Sequence, residues 1–381
     1  MPTNPTTTDP RTSYSNTDID VRKIAALIEM VSPEDVPLLT LVGMASAQKL
    51  LRAEIFNRKV EWIEDELKPT SLTLDEALDS SEQGVDVTSG HETRVVKGSI
   101  IRAEDELMWV SSITGSTLTV TRAYAGTTGA AHATALTMEI VGHAQIEGDP
   151  PPTPRTVLTS EPYNYTQIFE DGIHVTGTQL ATKQYGIDDE YDYQVAKILK
   201  EQMILLERML IDGLRAVGTS TTARSSGGLR QFVTEGPADL SGAALTQSDL
   251  EAALQGRFEL VGASAMPKLI IANAWAKRRI TGFYTPFVRT ERTDRTGGSY
   301  IDTVETDFGT LKVMLNRWCP TNRVYLINPD FIGVGAMRGR EFYEERLAKT
   351  ADAIDGHVLG EYTAVVKNYI AHAVIKGFAT S

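Results

Sequence analysis

The most constraining feature of this sequence is a long helical pattern over residues 188–217. Side chains recur there at steps of three and four residues, which places them on one face of a helix. That face comprises Val195, Ile198, Leu199, Gln202, Met203, Leu206, Met209, Leu210 and Leu214, and the opposite face carries Lys197, Lys200, Glu201, Arg208 and Arg215. Asp188 and Asp189 supply capping oxygens, and Gly213 and Gly218 end the pattern. A helix about 45 Å long either forms the backbone of a domain or pairs with another chain.

Length and charge bound the class of protein. With 381 residues, the chain can bury a large core and is expected to divide into about two to four compact parts. Its 37 basic and 50 acidic residues give a net charge of −13, which disfavours tight binding to nucleic acid or to an anionic membrane. The single cysteine, Cys319, excludes an internal disulfide framework, and no Cys-His spacing typical of a metal site occurs.

The N-terminal stretch is a candidate arm. Residues 1–16 are almost entirely polar and cannot offset the entropy of ordering by themselves, so we expect them to be disordered or ordered on another subunit. A short apolar pattern over residues 19–28 predicts a helix. The sequence has neither a secretion signal nor an apolar run of membrane-spanning length, which predicts a protein of the cytosol or of a particle assembled there.

Two stretches far apart in the chain predict a long hairpin. Residues 56–67 and 164–175 both alternate between apolar and polar side chains, as half-exposed strands do. A two-stranded ribbon is only marginally stable in water, so we expect it to dock on a neighbour. Between them, residues 84–148 contain short β-branched runs separated by turn signals, which predict an inserted small β-barrel or sandwich. The proline-rich residues 149–154 predict a stiff linker leaving it.

The C-terminal half predicts a compact α/β subdomain. A second amphipathic helix over residues 245–261 precedes a buried strand over residues 269–273 and a third helix over residues 274–284. Further strands follow as far as Pro329. The last strands are expected to return beside the long helix.

No set of residues stands out as a catalytic, cofactor-binding or metal site. None of the six histidines has the spacing that places two ligands on one helix face, and nucleophile-elbow, phosphate-loop and dinucleotide motifs are absent from the sequence. His132 and His143 could approach each other, but the sequence places no carboxylate or thiol close to them. His372 lies in an apolar run and is expected to be a hydrogen-bonded, partly buried side chain. We therefore assign no catalytic residue, no metal and no cofactor.

The remaining charged groups have ordinary structural interpretations. The acidic clusters are Glu64-Asp65-Glu66, Asp188-Asp189-Glu190 and Glu344-Glu345, and such runs are usually helix caps or solvated faces. Cys319 has no basic partner nearby in the sequence that would activate it. The one basic concentration comprises Lys277, Arg278, Arg279, Arg289, Arg292 and Arg295. It lacks interleaved aromatics, so we expect it to contact an acidic patch on another subunit.

Several stretches, taken in this order, carry a resemblance to a known family. They are VEWIEDEL (60–67), MWVSSITGSTLTVTRAYAGTTGAAHA (108–133), IEG (146–148), TQIFEDGIHVTGT (166–178), TDFGTLKVMLNRWCP (306–320), INPDFIGVGAMRGREF (327–342), LAKTADAIDGHVLGEYT (347–363) and NYIAHAVIKG (368–377). The chain resembles the major capsid protein of tailed bacteriophages, whose fold is shared with encapsulin shells and the floor of herpesvirus capsids. The local match is closest to a subfamily with a β insertion in the extended loop.

The resemblance implies an α+β chain with a particular domain order. The implied parts are an N-terminal arm (1–55), the first strand of the extended loop (56–83), the inserted β domain (84–148), the return strand (149–180), a peripheral domain with the spine helix (181–244), an axial domain (245–345) and the closing strands of the peripheral domain (346–381). The extended loop would lie over the adjacent subunit, and the axial domain would meet its copies around five- and six-fold axes. The fold brings no catalysis.

The implied function is self-assembly into the icosahedral head of a tailed double-stranded DNA phage. Hexamers and pentamers would form the shell, with portal, scaffolding or accessory head proteins as partners and no membrane. Packaged DNA would be contacted non-specifically, and an acidic inner surface would let it slide. The protein would reside in the virion and assemble in the cytoplasm of the bacterial host.

Three other readings remain open. An encapsulin-like cellular shell would enclose enzyme cargo instead of DNA. A carboxylate-dependent hydrolase would use one of the acidic clusters, and it would show saturable turnover. A monomeric structural or adhesion module built around the β insertion would leave the hairpin without a neighbour.

Overall fold

The computed structural model describes residues 36–154, 156–182, 189–234, 236, 239–284, 303–349 and 351–380. These residues form two compact units. The first unit comprises the described residues before residue 63 and after residue 162, and the second unit comprises residues 63–162. Residues 1–35, which hold most of the predicted arm and the helix over residues 19–28, lie outside the described residues, as do Asp188, Arg289, Arg292 and Arg295. No described helix is both long and apolar enough to cross a membrane.

The first unit contains all seven described α-helices. They are α1 (Pro37–Val42), α2 (Ser46–Leu51), α3 (Gly177–Ala181), α4 (Glu190–Asp212), α5 (Leu229–Phe232), α6 (Gln247–Val261) and α7 (Ala274–Tyr284). The second and third predicted amphipathic helices correspond to α6 and α7 and are confirmed. The Thr246 hydroxyl and the Asp249 carboxylate cap the start of α6 reciprocally, which satisfies two backbone N–H groups.

Helix α4 confirms the long helical pattern but is shorter than predicted. It has 23 residues and is about 35 Å long. The Asp189 carboxylate accepts hydrogen bonds from the N–H groups of Tyr191 and Asp192, as its capping role predicts. The segment around Gly228 lies against the end of the helix: a Cβ on Gly213 would lie 2.7 Å from the Ser226 carbonyl oxygen, and one on Gly228 would lie 2.2 Å from the Met209 carbonyl oxygen.

The first sheet lies against α4. It comprises β9 (Gln167–Thr176), β14 (Ile332–Ala336), β15 (Tyr343–Arg346) and β16 (Ala353–Val366), with β16 pairing antiparallel to the other three. The pairing between β9 and β16 extends from Thr176 opposite Ala353 to Gln167 opposite Tyr362. Apolar side chains from α4, β9 and β16 form a shared core, which includes Ile198, Ile173, Val175 and Val358.

The predicted hairpin forms only over a short length. Strand β1 (Lys59–Glu61) pairs antiparallel with β8 (Tyr163–Tyr165), so the two stretches do meet. The rest of the predicted return strand, however, is β9 and pairs with β16, so the prediction of one long hairpin is wrong. Pairing with β16 buries Phe169, Ile173 and Val175 beneath the helix, whereas an isolated ribbon would leave them in water.

The second sheet is mixed and carries α6 and α7. Its order is β11 (Thr303–Thr306), β12 (Gly309–Leu315), β10 (Leu269–Ala272), β13 (Arg323–Ile327) and β17 (Ala373–Lys376). Only β10 and β12 run parallel. The prediction that the last strands return beside the long helix is right for β16 and wrong for β17. Strand β17 closes the second sheet instead, where Ala373 and Ile375 complete its apolar core.

The second unit is one antiparallel six-stranded sheet. Its order is β2 (Ser71–Thr73), β7 (Thr137–His143), β4 (Ser99–Ala103), β5 (Glu106–Thr114), β6 (Thr117–Thr121) and β3 (Gly84–Asp86). Leu74 and Val87, which follow the two outer strands, form an antiparallel bridge. The ends of the sheet therefore meet, as in a small barrel. The sheet begins earlier than the predicted boundary at Gly84, because β2 and the buried Leu72, Leu74 and Leu78 belong to it.

Candidate assembly surfaces

The ribbon consists of the paired segments 59–67 and 158–165, and its base, formed by β1 and β8, is firmly tied to the body of the first unit. Asn164 is fully buried; its amide donates to the Gly227 and Ala364 carbonyl oxygens at 2.8 and 2.7 Å and its oxygen accepts from Gly227 N–H at 2.8 Å. Val60 and Trp62 are buried in an apolar cluster with Val365. The base of the ribbon therefore has a defined position in the unit.

Beyond this base, the second unit exposes several large aliphatic side chains. Glu64 and Ser160 exchange two backbone hydrogen bonds of 2.9 and 2.8 Å. Near this bridge in the sequence, Ile63, Leu158 and Leu67 are 70%, 87% and 94% exposed. Three aliphatic side chains so fully in water on the two short segments that this bridge joins mark a surface suited to association.

A second apolar surface lies beside the C-terminal half of α4. Ile168, Leu205 and Leu214 are 43–48% exposed and line a groove of about 520 Å³ between β9 and the helix. Leu214 was predicted to lie on the buried face of the helix; it falls outside α4, after Gly213, and points into this groove. Both the groove and the exposed ribbon residues thus present apolar surface that the described residues leave uncovered.

Two buried carboxylates of the first unit, both missed by the sequence analysis, join its segments through hydrogen bonds. Glu207 is fully buried and accepts hydrogen bonds from the N–H groups of Leu38 and Leu39 at 3.0 and 2.7 Å, and from the Asn316 side chain at 2.5 Å. Its position next to Leu206, on the apolar stripe of α4, was the available signal. The Glu207 carboxylate is therefore fully used in holding the start of α1 and Asn316 against α4, and its role is structural.

Glu361 is a second buried carboxylate of the first unit, and it joins three segments. It accepts hydrogen bonds from the Arg224 guanidinium and from the Thr166 hydroxyl, the latter at 2.5 Å, and forms an ion pair of 2.8 Å with Arg340. Arg224 also donates to the Thr166 carbonyl oxygen at 2.8 Å. The segment after α4 is thereby linked to β16 and to the end of the ribbon.

The side chains singled out for chemistry are mostly separated and inert. Burial raises the pKa of the Cys319 thiol to about 12, so it is not an activated nucleophile. His372 is hydrogen-bonded on both ring nitrogens, as predicted, and is fully buried, whereas partial burial was expected. Asp189 caps α4, and Glu344 accepts from the Tyr191 hydroxyl at 3.0 Å. Arg279 donates to the Leu245 carbonyl oxygen at 3.2 Å and Arg278 is exposed.

His132 is the exception, because carboxylates do surround it. Its ring nitrogens lie 3.1 Å from Glu104 and 3.1 Å from Glu106, contrary to the expectation that no carboxylate would be near. Burial by itself would raise the pKa of Glu106, but hydrogen bonds from Arg122, from the N–H groups of Ala130 and Ala123, and from His132 outweigh it and lower the pKa to about 2. Among the described residues, no three such side chains form a group that could hold a metal ion.

Comparison with known proteins identifies the family. The family model described as SU10 major capsid protein matches residues 5–379. The capsid of an empty GTA particle is 10% identical, with a TM-score of 0.52 and coverage of 97% of this chain and 99% of that chain. The cyanophage A-1(L) capsid is 13% identical, with a TM-score of 0.51 and coverage of 97% of this chain and 100% of that chain.

The two structural likenesses show the fold. Both confirm the α+β capsid architecture that the resemblance implied. No curated protein matches the chain. The family match extends over nearly the whole chain and favours a phage capsid protein over an encapsulin-like shell. The chain therefore belongs to the SU10 major capsid protein family and is a structural protein of a phage capsid shell.

Proposed function

We propose that this chain forms the icosahedral head of a tailed double-stranded DNA phage by extending its ribbon onto a neighbouring copy. The observation that carries the proposal is the exposure of Ile63, Leu67 and Leu158 on two segments that the Glu64–Ser160 bridge joins and that have little other regular structure. Burial of such side chains gains about 1.5–3 kcal/mol each, and a second copy would supply that burial. Repeated head-to-tail contacts around rotation axes then close a shell.

The parts of the fold have corresponding roles in this proposal. The segments around residues 56–70 and 144–166 form the extended loop and enclose the inserted β domain. The sheet of β9, β14, β15 and β16 with α4 forms the peripheral domain, and the sheet with α6 and α7 forms the axial domain. Hexamers and pentamers assemble in the bacterial cytoplasm with portal and scaffolding or accessory head proteins, and the finished shell encloses DNA.

Electron microscopy of the purified chain and of a ribbon variant tests this function. We expect the wild type to form closed particles, and Ile63→Ser/Leu67→Ser to remain folded but to lower the yield of particles about tenfold or more, because two interface anchors are lost. Val141→Ser is the matched control, since Val141 is also 58% exposed but lies in β7 of the sheet.

The outcomes separate the alternatives. A wild-type chain that stays monomeric at high concentration would refute shell formation. Particles formed equally well by the double variant would refute the role of the ribbon while leaving the shell intact. Particles recovered from infected cells that hold enzyme cargo, and no nuclease-protected DNA, would favour the encapsulin-like function.

A further inference from the structure

A cavity of about 450 Å³ lies between the chain that enters the ribbon and the loop after α4. Arg58, immediately before β1, lines one side of it, and Ser220, Thr222 and Arg224 line the other. Its lining residues all belong to the first unit, and they share only Ile168 with the groove beside α4. The cavity is therefore a separate site within one chain.

The loop after α4 is a tight hairpin that holds Arg224 beside this cavity. Ala216 and Ser225 exchange two backbone hydrogen bonds, each of 3.2 Å. Gly218 allows the two arms of the hairpin to approach closely, since a Cβ there would lie 3.0 Å from the Arg224 backbone nitrogen. The wall that this loop contributes therefore has a defined shape.

Thr166 anchors both arginines at the cavity. Its N–H donates to the Arg58 carbonyl oxygen at 2.9 Å, and its own carbonyl oxygen accepts from the Arg224 Nε at 2.8 Å. Both arginine side chains line the same cavity. The two guanidinium groups are thus held near one another by a shared backbone partner.

The cavity has a surplus of positive charge. Glu361 pairs with Arg224, but the same carboxylate also pairs with Arg340, so one negative charge serves two positive ones. Within the described part of the chain, no carboxylate lies within 4.0 Å of the Arg58 guanidinium. Of the described residues that line the cavity, none is acidic. An anion placed there gains electrostatic stabilisation although the whole chain carries a net charge of −13.

The polar side chains around the cavity are suited to donate hydrogen bonds. Guanidinium groups only donate, and the Ser220 and Thr222 hydroxyls make no hydrogen bond within the described residues. Guanidinium groups also match the oxygens of phosphate-like ions in pairs. Because these donors surround one cavity instead of following a track, a compact ion with several oxygens matches them better than an extended polymer.

We propose that this cavity binds a multivalent tetrahedral oxyanion of the inorganic phosphate class between Arg58 and Arg224. The bound ion bridges the chain before β1 and the loop after α4, so it stabilises the attachment of the ribbon to the first unit. The site lies within one chain and needs no neighbouring copy. Its test is therefore independent of shell formation.

Isothermal titration of the purified full-length chain with inorganic phosphate, at constant ionic strength in chloride, tests the proposal. We expect Arg58→Gln to weaken phosphate binding about tenfold or more, because one positive charge and its hydrogen bonds are lost. Arg58→Lys keeps the charge and should weaken binding less. Arg278→Gln is the matched control, since Arg278 is exposed on α7 and does not line the cavity. Sulfate should compete with phosphate, because side chains that donate do not require a protonated ligand.

Thermal unfolding of the same variants shows whether each is folded and gives a second readout. Phosphate should raise the Tm of the wild type and of Arg278→Gln more than that of Arg58→Gln. Thr222→Val removes one donor without changing the charge and should weaken binding severalfold.

Equal phosphate affinity in the wild type and Arg58→Gln would overturn the proposal, as would a wild type that binds neither phosphate nor sulfate. Binding of a peptide with the sequence of residues 63–67, with no binding of phosphate, would also overturn it and assign the cavity to an acidic segment of another copy.

Discussion

At the scale of single residues, the buried His372 makes the fold sensitive to acid. Its Nδ1 accepts from the Asn328 N–H at 3.2 Å, and its Nε2 donates to the Lys367 carbonyl oxygen at 3.2 Å. This arrangement requires the neutral ring. Burial lowers the pKa of His372 from 6.5 to about 4, because the charged imidazolium would lose its hydration.

We expect the first unit to lose about 3 kcal/mol of unfolding free energy through His372 as pH falls from 6.5 to about 4. Stability decreases as pH falls because, between pH 6.5 and about 4, the unfolded chain binds a proton at His372 and the folded chain does not. The stabilisation is complete above pH 6.5. Urea unfolding of wild type and His372→Gln on both sides of this window measures the effect, and the variant should show a weaker dependence on pH.

His143→Gln serves as the control, because His143 is exposed in the second unit. An unchanged pH dependence in His372→Gln would show that the buried ring is not the acid-sensitive group.

At the scale of elements, one ionic network fixes a loop of the second unit. Arg122 donates to the carbonyl oxygens of Asp79, Glu82 and Ala130 at 2.7, 2.9 and 2.6 Å. The same guanidinium forms two hydrogen bonds with Glu106, at 2.7 and 2.6 Å. Residues 79–82 and the loop after β6 are thereby attached to β5, so this network replaces regular strand pairing.

Substitution Arg122→Gln should destabilise the second unit by about 3 kcal/mol or more, because it leaves the buried Glu106 carboxylate without its cationic partner. Amide hydrogen exchange reports this change locally, and protection should fall in residues 63–162 while the first unit keeps its own. Arg102→Gln removes an exposed ion pair and should cost less than about 1 kcal/mol.

The pH dependence of stability that Glu106 causes provides a second test of this network. The pKa of Glu106 is lowered from 4.5 to about 2, so its contribution is complete above pH 4.5 and is lost as pH falls toward 2. Exchange protection in the second unit should therefore decline over this range in the wild type and less steeply in Arg122→Gln. Equal profiles would contradict the role of the network.

At the scale of the whole molecule, the division into two units has a thermodynamic consequence. The apolar core of the second unit is drawn entirely from its own residues, among them Leu72, Met108, Leu118 and Met138, all fully buried. A unit that supplies its own core can fold alone. The ribbon and the groove beside α4, in contrast, expose apolar groups that the described chain leaves uncovered.

An isolated fragment of residues 63–162 should therefore fold. We expect a cooperative thermal transition, dispersed amide signals and exchange protection in β4, β5 and β6, because these strands form the middle of the sheet. A matched fragment carrying Met108→Ala should be less stable by about 2–5 kcal/mol, since Met108 is fully buried. A wild-type fragment without protected amides would show that the second unit depends on the rest of the chain.

The sequence by itself determined the elements whose signals are local. The apolar stripe of α4, its Asp189 cap and the glycines that end it are written in neighbouring residues, as are the turns of the second unit. The burial of His372 followed from the apolar run around it. The order of these stretches was also sufficient to indicate the capsid family, because many weak matches in one order are specific together.

Only the tertiary structure decided which distant groups meet. Strand β9 has the same alternation whether it pairs with β1 or with β16, and the choice depends on the apolar surface that β16 and α4 bury with it. Glu207 bonded to α1, His132 between two carboxylates and Arg208 over the Trp318 indole are likewise contacts between residues far apart in the chain. Local pattern specifies a backbone conformation, whereas long-range packing selects the partners, and the partners are what make these surfaces.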